Sequence, residues 1–390
     1  MNKWIREKIF LGMTLGEYIK SLIAPFNIIC GAILLAGLYV IILRFTQGLS
    51  EVTEGSNLRP LGLFIGFNML CGVAMSAGGY CLGTTVYLLN RKDYYPLVRM
   101  AILVSFLGYF FAVVALLMDI GRPWRIYFPM FVSYGPTSVL FLVAWHVSLY
   151  LTVQFLEFCP AICEWLNLKR LRDWIERLTI GATIFGVILS TLHQSALGGL
   201  FLIAPNKLHP LWYSELIPIL FFVSSIATGL SMTMIVSWLV RKKMTPKYLE
   251  KLDELTIGLG RAATVVLFCY LGLKIIGIAH SNSWRLLNTP WGLWFCLELF
   301  LIILPCYLFV LGVRKKNVGI IRFSAALTIL GTIINRLNIS IICFNWQLHD
   351  LHFPPLPELI LSLSIITAWI CSFRWIINRM PVLWEHKADN

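Results

Sequence analysis

Long apolar runs alternate with short polar breaks along the whole chain of 390 residues. Each break carries Pro, Gly, Asn or charged residues, which end helices and form turns. A membrane-spanning helix needs about 20 consecutive apolar residues, so the pattern predicts an all-α polytopic membrane protein with ten spanning helices. We place these helices at about 21–45, 61–89, 95–119, 129–157, 178–204, 214–240, 257–280, 291–313, 320–344 and 357–378.

The composition supports the same class of protein. Hydrophobic residues make up 58% of the chain and charged residues 13%, whereas soluble proteins carry about 25% charged residues. The first segment is charged and amphipathic, unlike a cleaved signal peptide, which has an apolar centre and a small-residue cleavage site. We therefore predict a lead-in at 1–20, one ten-helix domain at 21–380 and a tail at 381–390.

The placement of Lys and Arg predicts the orientation. Twenty-two of these 32 residues lie in the two termini and in every second loop, whereas six lie in the other loops. Cytoplasmic loops carry the excess of positive charge, so we expect both termini of this multi-pass protein in the cytoplasm. The net charge of +13 is then a mark of topology, and we expect no nucleic-acid partner.

Ten cysteines are scattered over the predicted spans, and no C-x-x-C pair occurs among them. Iron–sulfur clusters and structural zinc sites require closely spaced thiolates. We therefore expect no metal site and no iron–sulfur cluster in this chain.

A few polar side chains interrupt the apolar runs, where unpaired polar groups are costly. His193 lies in the fifth predicted span, Asp119 at the outer end of the third, and Asn68 and Tyr80 in the second. A histidine can hydrogen-bond a quinone carbonyl and exchange a proton with it, because its pKa lies near neutrality. These residues predict one cavity in the outer half that binds a lipid-soluble quinone, with His146 as a further candidate or a packing residue.

Three charged residues lie inside later spans: Lys274, Glu298 and Arg336. A central charge costs roughly 2.5–3.5 kcal/mol on insertion scales, so we expect all three to face the bundle interior and to find partners. Glu298 is predicted to pair with Lys274 or Arg336. Two interpretations stay open, a proton or ion path and a structural ion pair that fixes helix register.

The motif that begins at His193 resembles the NrfD-like family, the membrane subunit of polysulfide reductase, and most closely the integral membrane subunit of Hyb-type periplasmic nickel–iron hydrogenases. The resemblance covers about residues 25–380 and implies ten helices, which we expect to form two four-helix bundles plus two peripheral helices. The matching segments are His193-Gln194-Ser195, Gly198, His209-Pro210-Leu211-Trp212, Gly78-Gly79, Asp119-Ile120-Gly121-Arg122 and Arg336-Leu337.

The resemblance also implies a function. It suggests a respiratory complex subunit, without haem or cluster of its own, that passes electrons between a periplasmic ferredoxin-like iron–sulfur subunit and menaquinone. The implied catalytic partner is a hydrogenase, a multihaem cytochrome or a molybdopterin enzyme. Carried over by position, His193 and Asp119 would be the quinone and proton residues, with Gln194 and Arg122 nearby. Asn68 stands where Hyb-type subunits tend to have an Asp, and an amide cannot relay a proton.

The resemblance extends the predicted proton path as well. That path would contain Asp119, Glu298, Lys274 and Arg336. Two other classes of protein remain as alternatives. A b-type cytochrome subunit would use His146 and His193 as ligands of one haem, and a secondary ion transporter would use the three intramembrane charges as its ion site.

Overall fold

The structure is a computed structural model that describes residues 3–56, 59–348 and 353–383. Within these residues ten helices are long and apolar enough to cross a membrane, which confirms the predicted all-α polytopic class. The spans are α1 (Pro25–Thr46), α2 (Phe64–Leu88), α3 (Lys92–Asp119), α4 (Val139–Leu166), α5 (Lys169–Ile203), α6 (Ile217–Lys243), α7 (Tyr248–His280), α8 (Pro290–Arg314), α9 (Val318–Ile342) and α10 (Leu356–Arg379).

Several predicted helix bounds differ from the observed ones. The fourth span was expected to begin at about 129, but Gly135 and Pro136 interrupt the helix, and α4 begins at Val139. Its far end extends to Leu166, nine residues beyond the predicted end at 157. Spans α5 and α7 begin earlier than predicted, because their charged first turns are helical and lie outside the apolar run.

Span α2 is irregular. Its two ends, Phe64–Met69 and Thr84–Leu88, are π-helical, and its centre consists of two short α-helices, Leu70–Met75 and Gly78–Gly83. Span α9 also ends in a π-helical turn, Asn338–Ile342. Such π-turns are frequent at functional sites, and the one in α9 lies beside the charged cluster described below.

The spans form two four-helix bundles and a peripheral pair, as the resemblance implied. Spans α2, α3, α4 and α5 pack around one another as the first bundle, and α6, α7, α8 and α9 form the second. Span α6 joins the two bundles by packing against α2 and α5. The peripheral helices α1 and α10 pack together, and α10 lies on α2 and α3.

The two ends of the molecule differ in chemistry. We call the end formed by the loops after α2, α4, α6 and α8 the basic end, and the end formed by the other loops, with Trp124, Trp212, Trp284 and Trp346, the tryptophan end. Which end faces the cytoplasm stays a prediction. His349, His352 and the tail from residue 384 lie outside the described residues.

The N-terminal lead-in is fixed to the basic end. It contains two short helices, Lys3–Lys8 and Leu15–Leu22. Arg379 at the end of α10 donates to the Ile9 carbonyl and to the Tyr18 hydroxyl, each at 3.0 Å. The connections at the tryptophan end add four further short helices: Leu49–Glu51, Pro123–Arg125, Phe128–Phe131 and Ser283–Asn288.

Candidate functional site

His193 stands at the centre of a buried hydrogen-bonded cluster in the first bundle. Its side chain is fully buried, and its Nδ1 donates to the Leu189 carbonyl at 2.7 Å. Nε2 is then the acceptor, and it receives the hydroxyl of Tyr109 from α3. Gln194 donates to the same hydroxyl at 3.1 Å and to the Val73 carbonyl of α2 at 3.2 Å. The cluster therefore ties three helices together through an imidazole, a phenol and an amide.

A second histidine lies nearby with a different environment. His146 of α4 is half-buried and close enough to His193 for their charges to interact. Its buried Nδ1 has no hydrogen-bond partner among the described residues. Because buried polar atoms normally have partners, this nitrogen is a natural contact for a ligand carbonyl.

The other residues predicted for the quinone site lie elsewhere. Asn68 exchanges two hydrogen bonds with Ser362 of α10, one of them at 3.0 Å. The hydroxyl of Tyr80 bonds Ser225 of α6 at 3.1 Å. The structure therefore brings only His193 and Gln194 of the predicted set into one cluster.

The remaining two members of that set lie at the tryptophan end. Arg122 is exposed in the turn that follows α3. Asp119 ends α3 and is close to the charges of Arg44 and Glu358. Arg44 is buried there and donates to the carbonyls of Met118, at 2.9 Å, and Ile120, so a cation caps the C-terminus of α3.

The intramembrane charges meet in the second bundle, which confirms the predicted pairing of Glu298. The Nζ of Lys274 lies 2.9 Å from Glu298 Oε1, and Asn335 donates to the same oxygen at 2.7 Å. The other oxygen accepts from the indole of Trp212 and from Asn338, each at 2.6 Å. The carboxylate is fully buried and has four donors, so it is held as an anion.

Arg336 lies beside this cluster without a carboxylate partner among the described residues. Its guanidinium stacks on the ring of Phe221 at 3.5 Å and donates to Asn335, to Ser224 and to the Phe221 carbonyl. Asp119, the fourth member of the predicted proton path, is the last residue of α3 in the first bundle and lies apart from these charges.

The loops of the tryptophan end are joined around His209. Its backbone N–H donates to the Cys343 carbonyl at 3.0 Å, and Leu208 and Phe344 form a single antiparallel bridge. The imidazole packs against Trp212, Trp291 and Trp346, and its Nδ1 accepts from a backbone N–H. This burial lowers the pKa of His209 to about 4, so the ring is neutral.

A cavity of about 740 Å³ lies next to these tryptophans, in the size range of small-molecule sites. It lies between α2, α9 and the loop after α9. Its walls are mainly apolar with a few polar groups, and the lining includes Arg59, Leu63, Trp291, Ser340, Asn345 and Trp346.

Several buried polar residues in or near the His193 cluster were not predicted as site residues from the sequence. Tyr109 and Tyr150 are ordinary residues of apolar spans, so nothing marks them before the helices are packed. Glu157 was missed for another reason, because the predicted fourth span ended there and a carboxylate at a span end is unremarkable. With α4 extended to Leu166, Glu157 becomes an intramembrane acid.

Comparisons with known proteins agree on one family. The family model described as polysulphide reductase, NrfD matches residues 51–344. A protein of Nitratidesulfovibrio vulgaris is 47% identical over 374 residues, or 94% of this chain and 96% of its own. The probable Ni/Fe-hydrogenase 2 b-type cytochrome subunit of Escherichia coli is 28% identical over 93% of both chains. The menaquinone reductase integral membrane subunit of N. vulgaris is 28% identical over 77% of this chain and 76% of its own.

Proposed function

Because the chain belongs to the NrfD family of polysulphide reductase membrane proteins, we propose that it is the quinone-reactive membrane subunit of a respiratory oxidoreductase complex. It is a multi-pass protein of the bacterial inner membrane. In this proposal it passes electrons between a periplasmic iron–sulfur subunit, docked at the tryptophan end, and menaquinone. A hydrogenase, a multihaem cytochrome or a molybdopterin enzyme supplies the electrons through that subunit.

The observation that carries this proposal is the pair of histidines in the first bundle. His193 is fixed by Tyr109 and Leu189, and the ring of His146 beside it has a nitrogen without a hydrogen-bond partner in the part of the chain that the structure describes. A quinone needs a donor at a carbonyl oxygen and a titratable group near it as it is reduced. We place the quinone ring between His146 and the His193 cluster, with Gln194 as part of its polar wall.

A haem between the same two histidines does not fit these contacts. The name of the E. coli relative refers to a b-type cytochrome, and a bis-histidine haem needs one free ring nitrogen from each ligand. Both nitrogens of His193 are engaged, and the ring is packed between Tyr109 and Tyr150 at centroid distances of 5.1 Å. The ion-transporter alternative is also weakened, because four donors already hold Glu298.

Binding of a menaquinol analogue, followed by fluorescence quenching on the purified protein, tests the proposal. We expect saturable binding by the wild type, and a loss of at least about tenfold, or 1.4 kcal/mol, in His193→Ala and in His146→Ala. His280→Ala is the matched control, because His280 is exposed at the tryptophan end of α7 and should leave binding unchanged.

Two results would contradict the proposal. Absence of saturable binding by the wild type would remove the quinone function altogether. Binding that is weakened by Trp346→Ala and left unchanged by both first-bundle histidine variants would move the quinone to the 740 Å³ cavity. An absorption spectrum of the same sample, with a Soret band lost in His193→Ala, would favour the cytochrome alternative.

A further inference from the structure

A line of polar side chains leads from the His193 cluster toward the basic end, inside the first bundle. The ring of Tyr150 packs against those of Tyr109, at 4.7 Å, and His193, at 5.1 Å. One turn further along α4, Gln154 donates to the Tyr150 hydroxyl at 2.8 Å. The same amide also lies 3.3 Å from Glu157 Oε2, so ring packing at Tyr150 and hydrogen bonds on either side of it connect the imidazole to a carboxyl group.

Glu157 differs from Glu298 in how it is held. Its Oε1 accepts from Thr183 of α5 at 2.8 Å, and among the described residues no Lys or Arg pairs with it. Glu298, in contrast, has a lysine and three further donors. A carboxyl group without a cation partner in a spanning helix is not locked as an anion, so it can gain and lose a proton.

A groove at the basic end is lined by Tyr87, which is a neighbour of Glu157. Its volume is about 490 Å³, and its walls include Tyr87, Lys92, Asp93 and Lys251. Tyr87 is also close enough to Glu157 for their charges to interact. The charged walls favour water in this groove, and Tyr87 belongs both to its lining and to the surroundings of Glu157.

Two buried polar atoms along this line are placed to bind internal water. Ser190 Oγ lies beside the phenols of Tyr109 and Tyr150, and neither it nor Gln154 Oε1 has a hydrogen-bond partner of good geometry among the described residues. Buried polar atoms of this kind ordinarily bind internal water. Hydroxyls, water and a carboxyl group in sequence are the components of intramembrane proton relays.

We infer that Glu157 takes up protons at the basic end and that water and the hydroxyls of Tyr150 and Tyr109 deliver them to His193, while Gln154 positions this line and carries no proton itself. The inference rests on the proposed function. Each menaquinone accepts two electrons from the reduced iron–sulfur subunit and two protons, which form the two O–H bonds of menaquinol. The path lies in the first bundle, apart from the Glu298 cluster of the second.

The test uses the complete complex in lipid vesicles with a pH-indicating dye on each side in turn. The readouts are the rate of menadione reduction by the partner subunits and the proton uptake at the basic end. We expect Glu157→Gln to lower both by at least about tenfold, as for loss of a proton-transfer group, with menaquinol-analogue binding unchanged. Glu157→Asp, which keeps an acid, should restore part of both signals.

The matched control is Glu176→Gln, because Glu176 is an exposed acid of α5 that pairs with Arg172 at 2.8 Å, and its loss should change neither signal. If Glu157→Gln does not fold, Tyr150→Phe removes one hydroxyl of the line and is expected to lower both signals. Wild-type rates in these variants, or wild-type uptake from the tryptophan end alone, would overturn the inference. No menadione reduction by the wild type would instead overturn the proposed function.

Discussion

Glu298 shows how a single carboxylate is kept charged inside an apolar bundle. Lys274 neutralises it, and Trp212, Asn335 and Asn338 occupy its remaining lone pairs. Removing a charge from water costs several kcal/mol, and only such complete pairing recovers that cost. Arg336 lies beside the cluster and is close enough for its charge to interact with Glu298, so this carboxylate is the anion nearest to two buried cations. The intact pairing of Glu298 is therefore needed for the stability of the second bundle.

This charge balance predicts an asymmetry between two variants. Glu298→Gln leaves two buried cations without an anion, whereas Lys274→Gln leaves a carboxylate that still has three donors and Arg336 nearby. We expect Glu298→Gln to lower the free energy of unfolding by about 3–5 kcal/mol and Lys274→Gln by roughly half as much. Unfolding of the detergent-purified variants, followed by helical signal, measures both.

The double variant Glu298→Gln/Lys274→Gln provides the control. Its loss should be smaller than the sum of the two single losses, because neighbouring groups that interact are not additive. A larger loss for Lys274→Gln than for Glu298→Gln would contradict this account of the cluster.

The residues of this cluster could be predicted, and those of the first bundle only in part. An intramembrane charge is rare enough that Lys274, Glu298 and Arg336 were recognised at once, and the cost of burial required that they meet. Phenols and amides are common in spanning helices. Tyr109 and Gln154 were therefore not recognised as site residues until packing placed Tyr109 next to His193 and Gln154 between Tyr150 and Glu157.

The existence of each spanning helix could be predicted from the length of its apolar run, whereas the position of its ends depends on local chemistry. All ten predicted spans exist. The predicted end of α4 at 157 was wrong, because the helix continues through Pro160 to Leu166. In the membrane a proline inside a helix is tolerated, since neighbours can satisfy the freed carbonyl. That single extension turned Glu157 from a surface acid into an internal one.

The connection between α5 and α6 is tied to the end of α9 by the neutral ring of His209. The unfolded ring has a pKa of 6.5 and the folded ring about 4. Below about pH 6.5 the unfolded state therefore binds a proton that the folded state does not, and stability falls as pH falls toward 4. At one pKa unit per 1.4 kcal/mol, the loss is at most about 3 kcal/mol.

Thermal unfolding midpoints in detergent at neutral and mildly acidic pH measure this effect. We expect the acid-induced drop to be smaller in His209→Gln than in the wild type, even if the variant is less stable at neutral pH. His280→Gln, which changes an exposed histidine, should keep the wild-type pH dependence. Equal drops in the wild type and His209→Gln would show that His209 is not the titrating group.

The arrangement of the ten helices decides which predicted residues meet. The first bundle contains His193 and also Asn68, Tyr80 and Asp119. Asn68 contacts Ser362 of α10, Tyr80 contacts Ser225 of α6, and Asp119 lies near the charge of Arg44. Hydrophobic period gives each helix a buried side and says nothing about which partner covers it. The residues that were predicted to line one cavity therefore lie at several separate helix contacts.

The two bundles meet where glycines allow backbones to touch. A Cβ on Gly229 of α6 would lie 2.5 Å from the backbone of Ala77 and Gly78 in α2, and small residues are what permit such close packing in membranes. We expect Gly229→Ala to force the bundles apart, to weaken the Tyr80–Ser225 hydrogen bond and to cost about 2 kcal/mol of unfolding free energy. Gly272→Ala in α7, where nothing lies within 4 Å of the added carbon, should instead be neutral or slightly stabilising. Unfolding in detergent measures the free energy of unfolding of both variants. A Gly229→Ala variant as stable as Gly272→Ala would show that close backbone packing at Gly229 does not hold the bundles together.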